Sequence, residues 1–309
     1  MISKILTVLG LASAAVLVNG AIPSDQAIGT VANFLDNYLY PRNTEVAASV
    51  NSTLFAEDVK GTVDVSTDFD GRELATEYLF GLFVNLAKDP MEPSPIGNPV
   101  SYELHAAIAQ GNTVFVGVKF QFFYGALNQS FPVEIDALFN INDEFQVQEY
   151  DLIFRRWAWA TDLIVPQLIP HMAKRVQNLT GFSNGTYILQ QYLAQSTCNA
   201  ALEHCTGVNQ QYENFDQCMT FLNGLSLGQF YRLGENNLGC RYLHTPMLPF
   251  RPNVHCAHVG PSGGDMCVLR NYTEVVKAKH FPQGFVANRT EGHNPLDLDA
   301  GVGLNLEIL

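Results

Sequence analysis

The chain has few basic residues and no run of them. Its 17 Lys and Arg residues are outnumbered by 30 Asp and Glu residues, which gives a formal net charge of −13 at pH 7. Phosphate backbones and anionic lipids require a cationic surface, which this composition does not supply. We therefore predict no nucleic-acid partner and no membrane partner. The acidic excess is instead typical of a protein that stays soluble in an acidic or extracellular medium.

The common catalytic and cofactor-binding motifs are also missing. No Gly-rich phosphate loop follows a strand, since the run from Gly260 to Gly264 lacks both the lysine and the following helix. The sequence contains no Gly-x-Ser-x-Gly elbow, no His-Glu-x-x-His and no Cys-x-x-Cys-His. Hydrolase, kinase and zincin mechanisms therefore have no motif support, and we predict no cofactor.

Only the N-terminus is apolar over a long stretch, and this stretch is shorter than the roughly 20 residues that span a bilayer. Residues 1–20 contain Lys4, an apolar run from Ile5 to Val18, and small residues before Ala21. A short basic start, an apolar core and a small-residue cleavage point are typical of a signal peptide. We predict that residues 1–20 are removed and that the protein is secreted to the extracellular space.

Glycosylation sequons agree with this prediction. An Asn-x-Ser/Thr sequence without a central proline predicts an exposed, glycosylated asparagine in an exported protein. The chain has six, at Asn51, Asn128, Asn178, Asn184, Asn271 and Asn288.

The first half of the mature chain shows helical and then strand periodicity. Apolar residues recur at helical spacing from Ser24, after Thr44, and from Leu74 through Tyr78 to Leu86. Four strand-like runs follow from Val100, and short links between them predict an antiparallel sheet with one apolar face. The residues that alternate onto this face are Val100, Tyr102, Leu104, Ala106 and Ile108; Val116, Val118, Phe120 and Phe122; and Ile135, Ala137, Phe139 and Ile141.

This order of elements resembles the NTF2-like superfamily, in particular its SnoaL-like and ketosteroid-isomerase-like members. The resemblance rests on the early helix pair, on VDVSTDFDGRELATEYL and on the hairpin VEIDALFNINDEFQVQEYD, and it covers residues 21–156. It implies an α+β fold in which an antiparallel sheet wraps around three helices and encloses a conical apolar pocket. Some relatives use this pocket for catalysis, and others use it only for binding or dimerisation.

In such a pocket one Asp or His transfers a proton next to a carbonyl, with a pKa tuned by burial. Alternation places Glu134, Asp136 and His105 opposite the apolar residues, so we expect them to face solvent. Glu149 and Asp151 share a face of the last strand, and Tyr150 points inward in the opposite register. Our candidate catalytic residues are Asp151, Glu149 and Tyr150. The alternative is that Asp151 pairs on the surface with Arg155 or Arg156.

The second half has a different character. Residues 157–176 carry apolar residues all along, and Pro166 and Pro170 interrupt any helix, so we predict that residues 157–185 form a connecting segment packed on the first domain. Residues 186–309 form a cysteine-rich, loop-rich module and tail. They resemble a cysteine-rich module of secreted eukaryotic proteins.

The cysteines of this module suit either a metal ion or disulfides. Thiols and imidazoles between Cys240 and Cys267 have spacings that one ion accepts. Export and an even number of cysteines favour three disulfides among Cys198, Cys205, Cys218, Cys240, Cys256 and Cys267, with connectivity left open. The histidines His244, His255 and His258 then form an imidazole-only metal site or an acid/base pair, or else they hydrogen-bond backbone carbonyls.

Two functions follow as hypotheses. In the first, a secreted glycoprotein binds a small apolar molecule and acts as a cofactor-independent isomerase, cyclase or dehydratase. In the second, a non-catalytic interaction protein fills the pocket with its own aromatic residues and presents the module to a protein partner or to a second copy of itself. An open space between Phe120, Phe122 and Phe139 would favour the first hypothesis.

Overall fold

The computed structural model describes residues 22–177, 179 and 184–285. The predicted signal peptide, two of the sequons (Asn178 and Asn288) and a possible terminal strand lie outside the described residues. Helices α1 (Ser24–Tyr38) and α2 (Arg42–Ser49) come first, followed by strands β1 (Phe55–Val63) and β2 (Asp68–Asp70). Helix α3 (Arg72–Phe80) continues through a 3₁₀ turn (Gly81–Phe83) into α4 (Val84–Lys88).

A six-stranded sheet completes the first half. Strands β3 (Asn98–Gln110), β4 (Thr113–Tyr124), β5 (Gln129–Ile141) and β6 (Val147–Arg155) follow one another along the chain. The strand order is β2-β1-β6-β5-β4-β3, and all neighbouring pairs are antiparallel except β1 and β6, which are parallel. The α+β class is therefore confirmed, whereas the prediction of a purely antiparallel sheet is corrected to a mixed sheet.

Alternation predicts the inner face of two strands correctly. The chosen residues of β4 and β5 are all buried, and α1 packs across this face through Phe34 and Leu35. Strand β3 differs, because Val100, Leu104 and Ile108 are exposed. Register shifts near Ser101 and Ala106 break the alternation of β3, and no strand covers its outer edge in the described sheet.

The second half is more helical than its composition predicts. Helix α5 (Trp157–Ala173) runs unbroken through Pro166 and Pro170. Each proline removes one backbone donor, but the helix buries an apolar face that includes Ile164, Leu168 and Met172, and this packing outweighs the loss.

Five further helices correct the expectation of a loop-rich module. They are α6 (Gly185–His204), α7 (Phe215–Asn223), α8 (Leu238–Leu243), α9 (Pro252–Val259) and α10 (Tyr272–Lys277). Asparagine side chains cap α6, α7, α8 and α10 by accepting backbone N–H hydrogen bonds. Within the described ranges no helix is long and apolar enough to cross a membrane.

All six cysteines are paired. Cys198 pairs with Cys218, Cys205 with Cys256, and Cys240 with Cys267, at Cα separations of 5.7, 5.6 and 5.7 Å. These separations suit disulfides, so the expected three pairs are present and their connectivity is defined. The pair Cys205–Cys256 joins the end of α6 to α9, and the pair Cys240–Cys267 joins α8 to the segment after α9.

Candidate functional site

An apolar cavity of about 120 Å³ lies between the inner face of the sheet and the helices. Phe120, Phe122 and Phe139 line the cavity and leave it open. The polar side chains in its wall belong to Tyr38, Ser66, Thr67, Tyr78, Trp157 and His244. The space is therefore suited to an apolar molecule that makes very few polar contacts.

The second half of the chain closes this cavity. Leu233, Gly234, Leu243, His244 and Met266 contribute to its wall together with the first-half residues. We call residues 224–237, which connect α7 to α8, the lid segment.

Hydrogen bonds fix the lid segment to residues from both halves of the chain. The Leu233 N–H donates to the Val65 carbonyl at 2.8 Å, and the Trp157 indole N–H donates to the Phe230 carbonyl at 2.7 Å. Arg270 Nε donates to the Gly234 carbonyl at 2.9 Å. These bonds hold the lid segment against the mouth of the cavity.

Tyr78 and His244 meet in the cavity wall, one from each half of the chain. Tyr78 lies on α3, His244 follows α8, and the Tyr78 hydroxyl oxygen is 2.8 Å from His244 Nε2. His244 Nδ1 is 2.8 Å from the Cys240 carbonyl, which can only accept, so Nδ1 carries the proton. Nε2 of the neutral ring is then an acceptor, and the Tyr78 hydroxyl donates to it.

His258 continues this network to the protein surface. Its Nδ1 is 3.3 Å from the Tyr78 oxygen, and its Nε2 is 2.8 Å from Asp265 Oδ1. The carboxylate accepts from Nε2–H, so Nδ1 of the neutral ring is a second acceptor facing the single Tyr78 proton. The His258 side chain is 4% exposed, whereas that of Asp265 is 85% exposed.

Burial sets the charge state of this network. It lowers the pKa of His244 well below its usual value, and the neighbouring imidazoles His258 and His255 lower it further. It lowers the pKa of His258 to about 4, with Asp265 opposing part of the shift. Burial also raises the pKa of Tyr78, assisted by Asp265 and Glu77. Tyr78, His244 and His258 are therefore uncharged around pH 7.

An ion pair between buried Glu77 and half-buried Arg251 lies beside the network. Glu77 on α3 has its Oε2 3.1 Å from Arg251 Nη1 and 3.1 Å from His255 Nε2. The contact with His255 lacks hydrogen-bond geometry, so both ring nitrogens of that residue are buried without a hydrogen bond to any described residue. Arg251 also pairs with Glu73 at 2.7 Å. These charges fix α3 against α9 and thereby hold Tyr78 next to His244 and His258.

None of the three candidate catalytic residues of β6 lines the cavity. Glu149 and Asp151 pair with Asn140 and Leu138 on the outer face of the sheet, because Leu152 and Phe154 occupy the inner face. The Glu149 carboxylate accepts from Asn140 Nδ2 at 2.6 Å and from the Gln283 backbone N–H at 2.8 Å.

Tyr150 does point inward, but it packs against Phe55 and Gly61 and is fully buried. Its hydroxyl has no hydrogen-bond partner in the described part of the chain. The alternative surface pairing of Asp151 is not formed either, since Arg155 pairs with Asp136 and Arg156 with Glu134.

The three histidines do converge, with ring centroids 4.7 to 6.2 Å apart. Their nitrogens do not come within 4.8 Å of one another as a set. Among the described residues the group that meets this distance is Cys240, His244 and Cys267. Those two cysteines are bonded to each other, so no free thiolate remains there to bind a metal ion.

The key residues that the sequence did not single out are Tyr78, Glu77 and Asp265. Tyr78 sits at an apolar position of the helical stripe and so resembles a core residue. The one signal in its favour is its hydroxyl, because a buried tyrosine usually requires a hydrogen-bond partner.

The chain matches two models of one protein family. Residues 32–152 match the BfoA N-terminal domain, and residues 156–270 match the BfoA family C-terminal domain. The Aurasperone B biosynthesis cluster protein A of Aspergillus niger is 40% identical over 256 residues, which cover 82% of this chain and 81% of that protein.

A second relative is the Bifonsecin B biosynthesis cluster protein A of Aspergillus brasiliensis. It is also 40% identical over 256 residues, covering 82% of this chain and 83% of that protein. Among solved structures, a steroid delta-isomerase from Pseudomonas aeruginosa aligns with 48% of this chain and 93% of its own, at 10% identity and a TM-score of 0.31. Because both family models match and the two cluster proteins are 40% identical over 82% of the chain, the chain belongs to the BfoA family.

Proposed function

We propose that this protein is a secreted glycoprotein that binds a small apolar molecule and moves a proton on it, as a cofactor-independent isomerase or cyclase. The observation that carries the proposal is the hydrogen-bonded pair of Tyr78 and His244 in the wall of an otherwise apolar, covered cavity. The biosynthesis clusters after which the relatives are named support a role in small-molecule biosynthesis. An NTF2-like assignment of the first half is part of the same proposal.

The size of the cavity limits the ligand. At roughly 10–15 Å³ for each water-sized group, about 120 Å³ accepts on the order of ten non-hydrogen atoms. Ten aromatic side chains line the wall beside aliphatic ones, including those of Phe34, Phe69 and Phe120. A flat molecule of one or two fused rings with one carbonyl group fits both the volume and the lining.

Tyr78 and His244 divide the chemistry between them. When a ligand carbonyl enters, the Tyr78 hydroxyl turns toward the carbonyl oxygen and donates to it. This frees Nε2 of His244, which takes a proton from the carbon next to the carbonyl and leaves an enolate stabilised by Tyr78. The imidazolium then returns the proton to another carbon of the same molecule, which completes an isomerisation with no net change in protons.

The test uses a simple β,γ-unsaturated ketone, 3-cyclohexen-1-one, whose conversion to the conjugated ketone is followed by ultraviolet absorbance. We expect the secreted protein to catalyse this shift and both Tyr78→Phe and His244→Gln to reduce kcat by about a hundredfold or more. Asp151→Asn serves as the matched control, because Asp151 lies on the outer face of the sheet. Absence of catalysis by the wild-type protein, or full activity of both variants, would refute the proposal.

Export and glycosylation belong to the proposal as well. Four of the sequon asparagines are described and all are exposed: Asn51, Asn128, Asn184 and Asn271. The three disulfide pairs fit an oxidising compartment. Intact-mass measurement of protein from its native source, before and after glycosidase treatment, tests both. An unglycosylated protein that retains residues 1–20 would contradict this part of the proposal.

A further inference from the structure

A chain of polar groups, each within 3.3 Å of the next, leads from the cavity wall to solvent. It starts at His244 Nε2, passes through the Tyr78 hydroxyl and the His258 ring, and ends at the Asp265 carboxylate. The first three groups are buried, and Asp265 is exposed. The lid segment and the aromatic wall cover the cavity from other sides, so this path offers protons a route that does not require the cavity to open.

The Tyr78 hydroxyl has one proton but faces two acceptors, so the path can carry one extra proton. In the resting state Tyr78 has one hydroxyl proton and two acceptors, Nε2 of His244 and Nδ1 of His258. The shorter contact, 2.8 Å against 3.3 Å, assigns this proton to His244. Nδ1 of His258 is then an unfilled acceptor that faces a hydroxyl group, which is the arrangement that a proton relay requires.

From this geometry we infer that Tyr78, His258 and Asp265 form a proton relay that equilibrates the cavity base His244 with bulk solvent. The inference rests on the proposed function, since it takes His244 as the group that receives the ligand's proton. It adds two residues, His258 and Asp265, that act through Tyr78 and His244 and do not line the cavity.

Four proton transfers make up the relay. After His244 has taken a proton from the ligand, its Nε2–H passes a proton to the Tyr78 oxygen as Tyr78 passes its own proton to Nδ1 of His258. His258 releases the proton on Nε2 to the Asp265 carboxylate, and the resulting carboxylic acid loses it to water. His244 and Tyr78 return to their starting states, His258 changes tautomer, and one proton reaches solvent. The same steps in reverse bring a solvent proton to the ligand.

Charged side chains lie beside the buried groups of the relay. Arg251 and Glu77 neutralise each other beside it, and Arg270 lies near enough to lower the pKa of Tyr78. Arg241 donates to the carbonyls of Asn237, Gly260 and Pro261 and so holds the loop before Asp265 in place. No other carboxylate among the described residues is hydrogen-bonded to the ring of His258, so Asp265 is the exit that the structure provides.

Isotope tracing separates the relay from the chemistry in the cavity. In heavy water, wild-type protein that isomerises unlabelled 3-cyclohexen-1-one is expected to give product with deuterium at the carbon that receives the proton. In Asp265→Asn the amide oxygen still accepts the His258 hydrogen bond but does not take up its proton. We expect this variant to isomerise the ketone while most product molecules retain the proton that the substrate lost.

Two further variants complete the experiment. Asp216→Asn changes an exposed carboxylate on α7 and is expected to behave like wild type. His258→Gln is expected to give the same deuterium-poor product as Asp265→Asn. If His258→Gln does not fold, the nitrogen NMR signals of His258 in the wild type and in Asp265→Asn replace it, and the resting protein should show the proton on Nε2.

The labelling results distinguish failure of the relay from failure of the proposed function. Deuterium-poor product from Asp265→Asn, with normal labelling by Asp216→Asn, supports the relay. Equal labelling by wild type and Asp265→Asn overturns the relay and leaves the proposed function intact. Absence of isomerisation by the wild type overturns both, and a resting proton on Nδ1 of His258 overturns the relay by itself.

Discussion

Substituting Ala137 by leucine distinguishes an open cavity from a filled core. Ala137 lies on the inner face of β5, is buried, and contributes to the cavity wall. Leucine adds three carbon atoms, which take up roughly 30–45 Å³ if each replaces one water-sized volume. Of the approximately 120 Å³ available, about 75–90 Å³ remains, so the side chain fits and the ligand loses part of its space.

The sign of the stability change follows from this volume. Three additional buried carbons contribute about 2.4 kcal/mol at roughly 0.8 kcal/mol each. Loss of side-chain rotamer freedom subtracts about 0.5–1 kcal/mol, so we expect Ala137→Leu to raise the free energy of unfolding by about 1.5 kcal/mol. In a core that is already filled, the same change costs about 1–3 kcal/mol.

Ala75 provides the matched control. It is fully buried on α3 and does not line the cavity, so Ala75→Leu is expected to destabilise the protein. Urea unfolding gives the two free energies. Binding of the bicyclic ketone 2-tetralone is measured by fluorescence of Trp157, one of the two tryptophans, in a Trp159→Phe background.

We expect Ala137→Leu to weaken binding of 2-tetralone by at least about tenfold, a loss of 1.4 kcal/mol. If Ala137→Leu and Ala75→Leu destabilise the protein equally and binding is unchanged, the cavity is not a binding site and the reasoning fails.

Three further predictions concern stability and the lid segment. Burial lowers the pKa of folded His258 to about 4 from 6.5, so the unfolded chain binds a proton first as the pH falls. The free energy of unfolding therefore decreases between about pH 6.5 and pH 4, by up to about 3 kcal/mol. In His258→Gln the urea midpoint should depend less steeply on pH over this range. Removal of Cys205–Cys256, which spans 51 residues, should lower the free energy of unfolding by about 4 kcal/mol. Removal of Cys198–Cys218, which spans 20 residues, should lower it by about 3 kcal/mol, so the first variant should have the lower unfolding midpoint. A Cβ at Gly234 would clash with the Ser66 carbonyl oxygen, so Gly234→Ala should displace the lid segment. Stopped-flow fluorescence should then show faster release of 2-tetralone. An unchanged release rate would show that the lid segment does not cover the ligand.

Strand alternation predicts the cavity-forming faces of β4 and β5 because only one face of each carries the apolar residues. The same argument fails on β6, where Ile153 shares the outer face with Glu149 and Asp151, and a register shift places Val147 opposite Ile141 of the inner face. Chain from beyond α10 covers Glu149 and donates the Gln283 N–H to it, so this residue is 1% exposed on the outer face. A strand buried on both faces gives no periodic signal that separates inside from outside.

The pairing of Tyr78 with His244 could not be predicted from the sequence. The two residues are 166 positions apart, and they meet only because the second half of the chain docks across the mouth of the cavity. The histidine spacing indicates that His244, His255 and His258 lie near one another. It does not indicate that a tyrosine and a glutamate of α3 complete the cluster.

A crystal structure of the protein with 2-tetralone would show whether the cavity binds a ketone against Tyr78 and His244. We expect the ketone to lie between Phe120, Phe139 and the lid segment, with its carbonyl oxygen within hydrogen-bond distance of the Tyr78 hydroxyl and a neighbouring carbon close to His244 Nε2. A cavity filled by its own aromatic side chains, or a ligand bound with its carbonyl away from Tyr78, would contradict this expectation.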